Sequence, residues 1–207
     1  MKRKNLKIKN SEWARYFRVL LYFSLFTFHF SLLTAYAQRD YFTPEEIELI
    51  RDAQEIDRRI NVLTHAIDRR FEALKINVAA PKIAAKEKGD WGELPPGTRF
   101  ELLIDVKRIL QKAIDDIDSL AERPDSGYLP DPSDKKAKSS VELFPIAMRN
   151  LAAADKRYQS VLKAELDKQN DNAEKGSILD ALDSCDQIIA AVAKLPPDVP
   201  KTNEKKH

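Results

Sequence analysis

Beyond its first 37 residues, chemistry in this chain would have to come from a few side chains: two histidines, one cysteine and a set of paired arginines. Beyond residue 37 the only histidines are His65 and His207. A histidine and a methionine on two helices of a bundle can hold a haem between them, and His65 with Met148 is the pair whose spacing permits it. No C-x-x-C-H attachment site accompanies them, and Met148 falls on an apolar stripe, where methionine usually fills space. A Ser-His-Asp site would need His65, yet no G-x-S-x-G elbow marks a serine. Cys185 is the only cysteine, so no disulfide can form within the chain, and a thiol in an apolar stripe is inert.

Metal chemistry fares no better. Asp115, Asp116 and Asp118 fall within one helical turn, as a solvated helix face would place them. The stretch from Asp167 superficially resembles a calcium loop, but it has Asn172 where that loop needs glycine and Ile178 where it needs a bidentate glutamate. The Glu-x-x-His pairs of di-iron bundles are missing from the predicted helices beyond residue 37. The sequence is therefore expected to encode no enzyme and to need no cofactor or metal, with haem or metal held at His65 and Met148 as the alternative.

Binding is better provided for. Ile56-Asp57-Arg58-Arg59-Ile60 is echoed eleven residues later by Ile67-Asp68-Arg69-Arg70-Phe71. Eleven residues are close to three helical turns, so Arg59 and Arg70 share a side of the helix and could grip the acidic face of a partner. The competing expectation is internal pairing, with acids of the same helix or with Asp115 and Asp118 on a neighbour. Trp91, framed by Gly89 and Gly92, is either an exposed anchor for recognition or a lid folded back over the bundle.

The elements that must position these residues read as four helices. The first, about 43–75, opens with Thr43-Pro44-Glu45-Glu46, a capping box with proline at the first helical position, and keeps a seam at Leu49, Ala53, Ile56, Ile60, Leu63, Ile67 and Leu74. The second, about 98–122, opens with the Thr98 to Glu101 box and stops before Pro124. The third, about 140–168, contains Pro145 near its start, which predicts a late start or a kink. The fourth, about 177–194, has Ser177 and Asp180 as its capping pair and Cys185 in its stripe. Four amphipathic helices cover one another most simply as an antiparallel four-helix bundle with two long loops, an all-α domain over residues 38–195. Residues 196–207 read as a disordered tail.

The first 37 residues are of another kind. Seven basic residues against Glu12 precede the uncharged run from Val19 to Leu33, and Ala35-Tyr36-Ala37 offers the small residues a signal peptidase reads, placing cleavage between Ala37 and Gln38. Uncleaved, 19 residues from Val19 to Ala37 could instead anchor the chain in a membrane. Residues 38–207 carry 28 basic and 32 acidic residues, a net charge of −4, which gives no footprint for nucleic acid. They also lack an Asn-x-Ser/Thr acceptor, which points to a bacterial envelope. The expected molecule is exported, periplasmic or extracellular, and binds or scaffolds another envelope protein, with membrane contact only through an uncleaved signal segment.

Overall fold

The computed structural model describes residues 39–81, 88–123 and 138–196. Ala35, Ala37, Gln38 and the tail from residue 197 lie outside the described residues. Those described are all-helical: α1 (Pro44–Asp52), α2 (Ile56–Ala73), a 3-10 turn (Lys88–Trp91), α3 (Arg99–Glu122), α4 (Ser140–Lys168) and α5 (Asn172–Val192). Among them no helix is long and apolar enough to cross a membrane.

Helix starts follow from local chemistry. Thr43, Thr98 and Ser139 each accept from a backbone amide three residues on, and Glu46, Glu101 and Glu142 return a bond to the cap. Pro145 neither delays nor ends α4. It sits in the second turn, where the carbonyl it leaves unbonded belongs to Val141, a residue at the solvent surface.

Two boundaries differ from those the sequence pattern predicts. The expected first helix is broken at Ala53 to Glu55, and α5 begins at Asn172, capped by Asp171 through the amides of Ala173 and Glu174, not by Ser177. The reason for the break is geometric. Glu46 and Arg69 would stand about 35 Å apart on one straight helix, yet Glu46 Oε1 lies 2.9 Å from Arg69 Nη1. Only a chain that turns back between them can close that distance, and Arg59 secures the turn by donating from Nε to the Ala53 carbonyl at 2.9 Å. With the break, α4 at 29 residues is the longest described helix.

The core is assembled from one apolar stripe of each long helix, with Phe71 buried and the predicted seam residue Leu74 only partly so. Ile60, Leu63, Ile67 and Phe71 of α2 meet Leu103, Val106, Leu110 and Ala113 of α3, Leu151, Tyr158 and Leu162 of α4, and Ile178, Leu182 and Cys185 of α5. Each of α2 and α5 packs against both α3 and α4, while α3 and α4 touch only lightly. Asn61 bonds Asn150 and Asp68 bonds Arg157, so α2 and α4 run the same way. Arg99 meets Glu174 and Lys107 meets Asp180, so α3 and α5 do too. Arg149 reaches the Pro196 carbonyl and Gln159 reaches Asp186, so α4 and α5 run oppositely. The helices therefore form two hairpins, α2–α3 and α4–α5, laid side by side in the same sense.

α2 ends in a Schellman motif, with the Ile76 amide on the Phe71 carbonyl (2.8 Å) and the Lys75 amide on that of Glu72 (2.9 Å). Its left-handed position, φ +61°, is held by Lys75 and not by glycine. Lys75→Gly is expected to raise stability by about 0.5–1 kcal/mol, read as a higher urea midpoint at unchanged slope.

Candidate functional site

The end of α2 forms one wall of a cleft of about 750 Å³, lined by His65, Asp68, Arg69, Glu72 and Lys75, then by residues 76–78 and 80–81, and by Trp91, Gly92 and Leu94 from the far side. A volume of that order is typical of ligand pockets. A smaller groove of about 280 Å³, bordered by Leu120, Ala121, Ser140, Val141 and Phe144, shows no titratable side chain in its described lining and offers one hydroxyl, that of Ser140.

The far wall is positioned by Arg69. Its guanidinium donates to the carbonyls of Gly92 (3.4 Å) and Glu93, pairs with Glu46, and lies 5.5 Å from the Trp91 ring centre. Trp91 in turn stands edge-on to His65, ring centres 4.3 Å apart. Gly92 is required where the loop passes α1: its φ is +62°, and a Cβ would come within 3.0 Å of the Glu45 side chain. On the near side, Arg157 of α4 donates to the Val78 carbonyl at 3.1 Å and to Asp68 at 3.3 Å. Asp68 also accepts from the Tyr158 hydroxyl at 2.9 Å. Ala79, another non-glycine residue with positive φ (+49°), bonds its amide to Asn77.

Burial, with the Arg69 cation beside it, pushes the His65 imidazole down to about 4, so the ring is neutral near pH 7 and offers one donor and one acceptor. Burial raises Asp68 above the usual carboxylate range against the opposing pull of Arg157 and the Tyr158 hydroxyl, and lowers Arg69 against the pull of Glu46. Among the described residues no hydrogen bond or ion pair engages the side chains of His65 and Lys75 or the indole N–H of Trp91, while Glu72 adds its negative charge to the surroundings of Arg69. The cleft thus presents a cation, an anion, a neutral imidazole and an indole donor beside Ile76, Val78 and Leu94. Its described lining contains no serine, threonine, cysteine or tyrosine that could act as a nucleophile.

The residues expected to bind a partner are distributed differently. Trp91 is buried as one wall of the cleft, in the lid arrangement. Arg70 is 1% exposed and points inward. It pairs with Glu46, approaches Asp105 to 3.9 Å, and donates to the carbonyls of Ala66 and Tyr41. Arg59 is occupied at the α1–α2 break. Arg59 and Arg70 form no ladder facing solvent, because the second echo is consumed inside the fold, and its partners are Glu46 and Asp105 instead of Asp115 and Asp118. Asp115 bonds Gln111 and Asp116 bonds Lys112 on their own helix. His65 lines the cleft whereas Met148, in the core of α4, does not, so the two are not brought to one cavity. Among the described residues no three of His, Cys, Asp and Glu are grouped to hold a metal ion.

Sequence reasoning missed Glu46 and Lys75 as site-forming residues. The capping box identified Glu46 but not its second role, in which Oε2 accepts the Thr43 amide at 3.0 Å while Oε1 takes both arginines. Lys75 carried a signal, since it directly follows the last seam residue, Leu74, where a helix is expected to stop. Comparison of the chain with protein-family models, with curated proteins and with solved structures finds no match in any of the three.

Proposed function

We propose that this chain is an exported helical bundle that acts as a non-enzymatic binding or scaffolding module of the cell envelope, seating a segment of another protein in the cleft beside Trp91. The observation that carries the reading is the mixed set on the cleft walls: the exposed Glu72 and Lys75 with opposite charges, His65 and the Trp91 indole with donor and acceptor capacity, next to apolar Ile76, Val78 and Leu94. A peptide segment offers the complement of all of these, namely amides, side-chain charges of both signs and apolar side chains. The described lining holds no serine, threonine, cysteine or tyrosine, and its polar groups are spread over both walls beside apolar side chains, which suits holding a segment more than turning one over. Export rests on the leader-like residues 1–37 and the Ala35-Tyr36-Ala37 end.

The test exploits the exposed rim. A double charge reversal, Glu72→Lys with Lys75→Glu, lies at the surface and is expected to leave the melting temperature within about 2 °C of wild type. Capture of the partner by a C-terminally tagged copy in its native envelope is expected to fall at least about tenfold, as read by quantitative mass spectrometry after cross-linking. Unchanged capture would remove the cleft from the binding surface. The same preparation reads the N-terminus, where a start at Gln38 is expected.

A further inference from the structure

α4 and α5 pack along most of their length, and their interface encloses a group that the cleft does not use. Asp155 of α4 has no exposed surface, and among the described residues neither carboxylate oxygen has a hydrogen-bond partner of good geometry. Cys185 of α5, equally buried, lies against it, and a thiol is only a weak donor. The other charged and titratable groups around it are engaged elsewhere. On α4 itself, Arg157 is turned to Asp68 and Val78, and the Tyr158 hydroxyl bonds Asp68 and the Thr64 carbonyl. From α5 comes Asp186, bonded to Gln159, and from α2 comes Asp68, already held by two donors. Among the described residues no cation is paired with Asp155.

An ionised carboxylate without a partner in such surroundings is strongly disfavoured. Two states escape that penalty: a neutral acid inside the closed bundle, or a carboxylate in water. The second requires α4 and α5 to part at this level, and the same parting uncovers the thiol opposite. We propose that Asp155 and Cys185 form a proton-dependent latch between α4 and α5, in which the closed interface holds the neutral acid and loss of its proton to water accompanies release of α5 and exposure of the Cys185 thiol. The device is independent of the cleft and stands or falls without it.

Cys185 is the only cysteine, so alkylation of the purified full chain by iodoacetamide reads this opening directly. The reagent attacks the thiolate, which by itself makes the rate rise about tenfold per pH unit below the thiol's ordinary pKa. If opening also releases the Asp155 proton, the open population gains a further factor of about ten per pH unit. Wild type is therefore expected to react about a hundredfold faster per pH unit between about pH 5 and 7, and Asp155→Asn about tenfold faster per unit. Asp186→Asn should keep the wild-type slope. A tenfold slope in wild type would overturn the latch whether or not the Asn variant folds, and so would loss of the steep slope in Asp186→Asn, which would assign the proton to the other carboxyl.

Discussion

Glu46→Ala is expected to lower stability by about 3–5 kcal/mol, a larger loss than any other substitution named for this chain. Glu46 has no exposed surface, and one of its oxygens receives the guanidinium groups of both Arg69 and Arg70, themselves almost fully buried. Together with Asp105 the cluster sums to zero charge inside the protein. Remove Glu46 and two buried cations face one carboxylate, at a cost that exceeds the lost attraction because both remain away from water. Arg69 would also loosen its hold on Gly92 and Glu93, and Arg70 on the Tyr41 carbonyl, so the Trp91 wall and the start of α1 should fray first. Glu46→Gln preserves size and one oxygen but not the charge, and most of the loss should remain. Urea denaturation followed by circular dichroism measures both variants. A Gln variant as stable as wild type would show that shape, not charge, holds the cluster.

Asp155→Asn should act in the opposite direction. Burial, relieved only in part by the Cys185 thiol and the more distant Arg157, pushes the Asp155 carboxyl up to about 8 from 3.8. Because the folded value lies above the unfolded one, the favourable contribution of the neutral acid is complete below pH 3.8 and is lost as pH rises through about 8. Stability of wild type should therefore fall by about 1.4 kcal/mol per pH unit across that window from this group alone, reaching on the order of 4 kcal/mol at pH 7. Asparagine removes that dependence but leaves a buried amide short of partners, which costs about 1–3 kcal/mol. The variant should be level with or below wild type near pH 4 and more stable by about 1–3 kcal/mol at pH 7. His65, whose value is pushed down to about 4, withdraws stability as the pH falls from 6.5 toward 4 in both proteins and cancels in the difference. Parallel stability curves from about pH 4 to 8 would rule out a neutral buried acid at this position.

Much of the architecture was written in periodicity and caps. The seam through Ile60, Leu63 and Ile67 does line the core, and Thr43 and Thr98 cap where their spacing to Glu46 and Glu101 indicated. The break after Asp52 was not legible, since Ala53-Gln54-Glu55 contains neither glycine nor proline and the apolar steps continue through it. It is imposed from outside, by the gain in joining Glu46 to residues 23 and 24 positions away. The start of α5 was hidden by Gly176, which reads as a loop residue but sits inside the helix with no heavy atom near enough to crowd a Cβ. The arginine echo was visible, yet nothing local distinguishes a guanidinium that faces solvent from one that closes on a buried carboxylate. The cleft itself was not legible, because it joins the end of α2 to a loop held there by Arg69.

The two hairpins laid side by side have a consequence for how this chain reaches its native state. Within each hairpin the pairings are more local in sequence than those between hairpins, and the turn from Lys168 to Asn172 is short, so α4–α5 can form early, with α2–α3 closing over its longer connection. Between hairpins every bond described above spans long separations, 89 residues for Asn61 with Asn150 and 75 for Arg99 with Glu174. The mating of the two units is then expected to be the slow event, with their inner faces open to water, and to one another's copies, until the Asp68, Arg157 and Tyr158 contacts lock them in register.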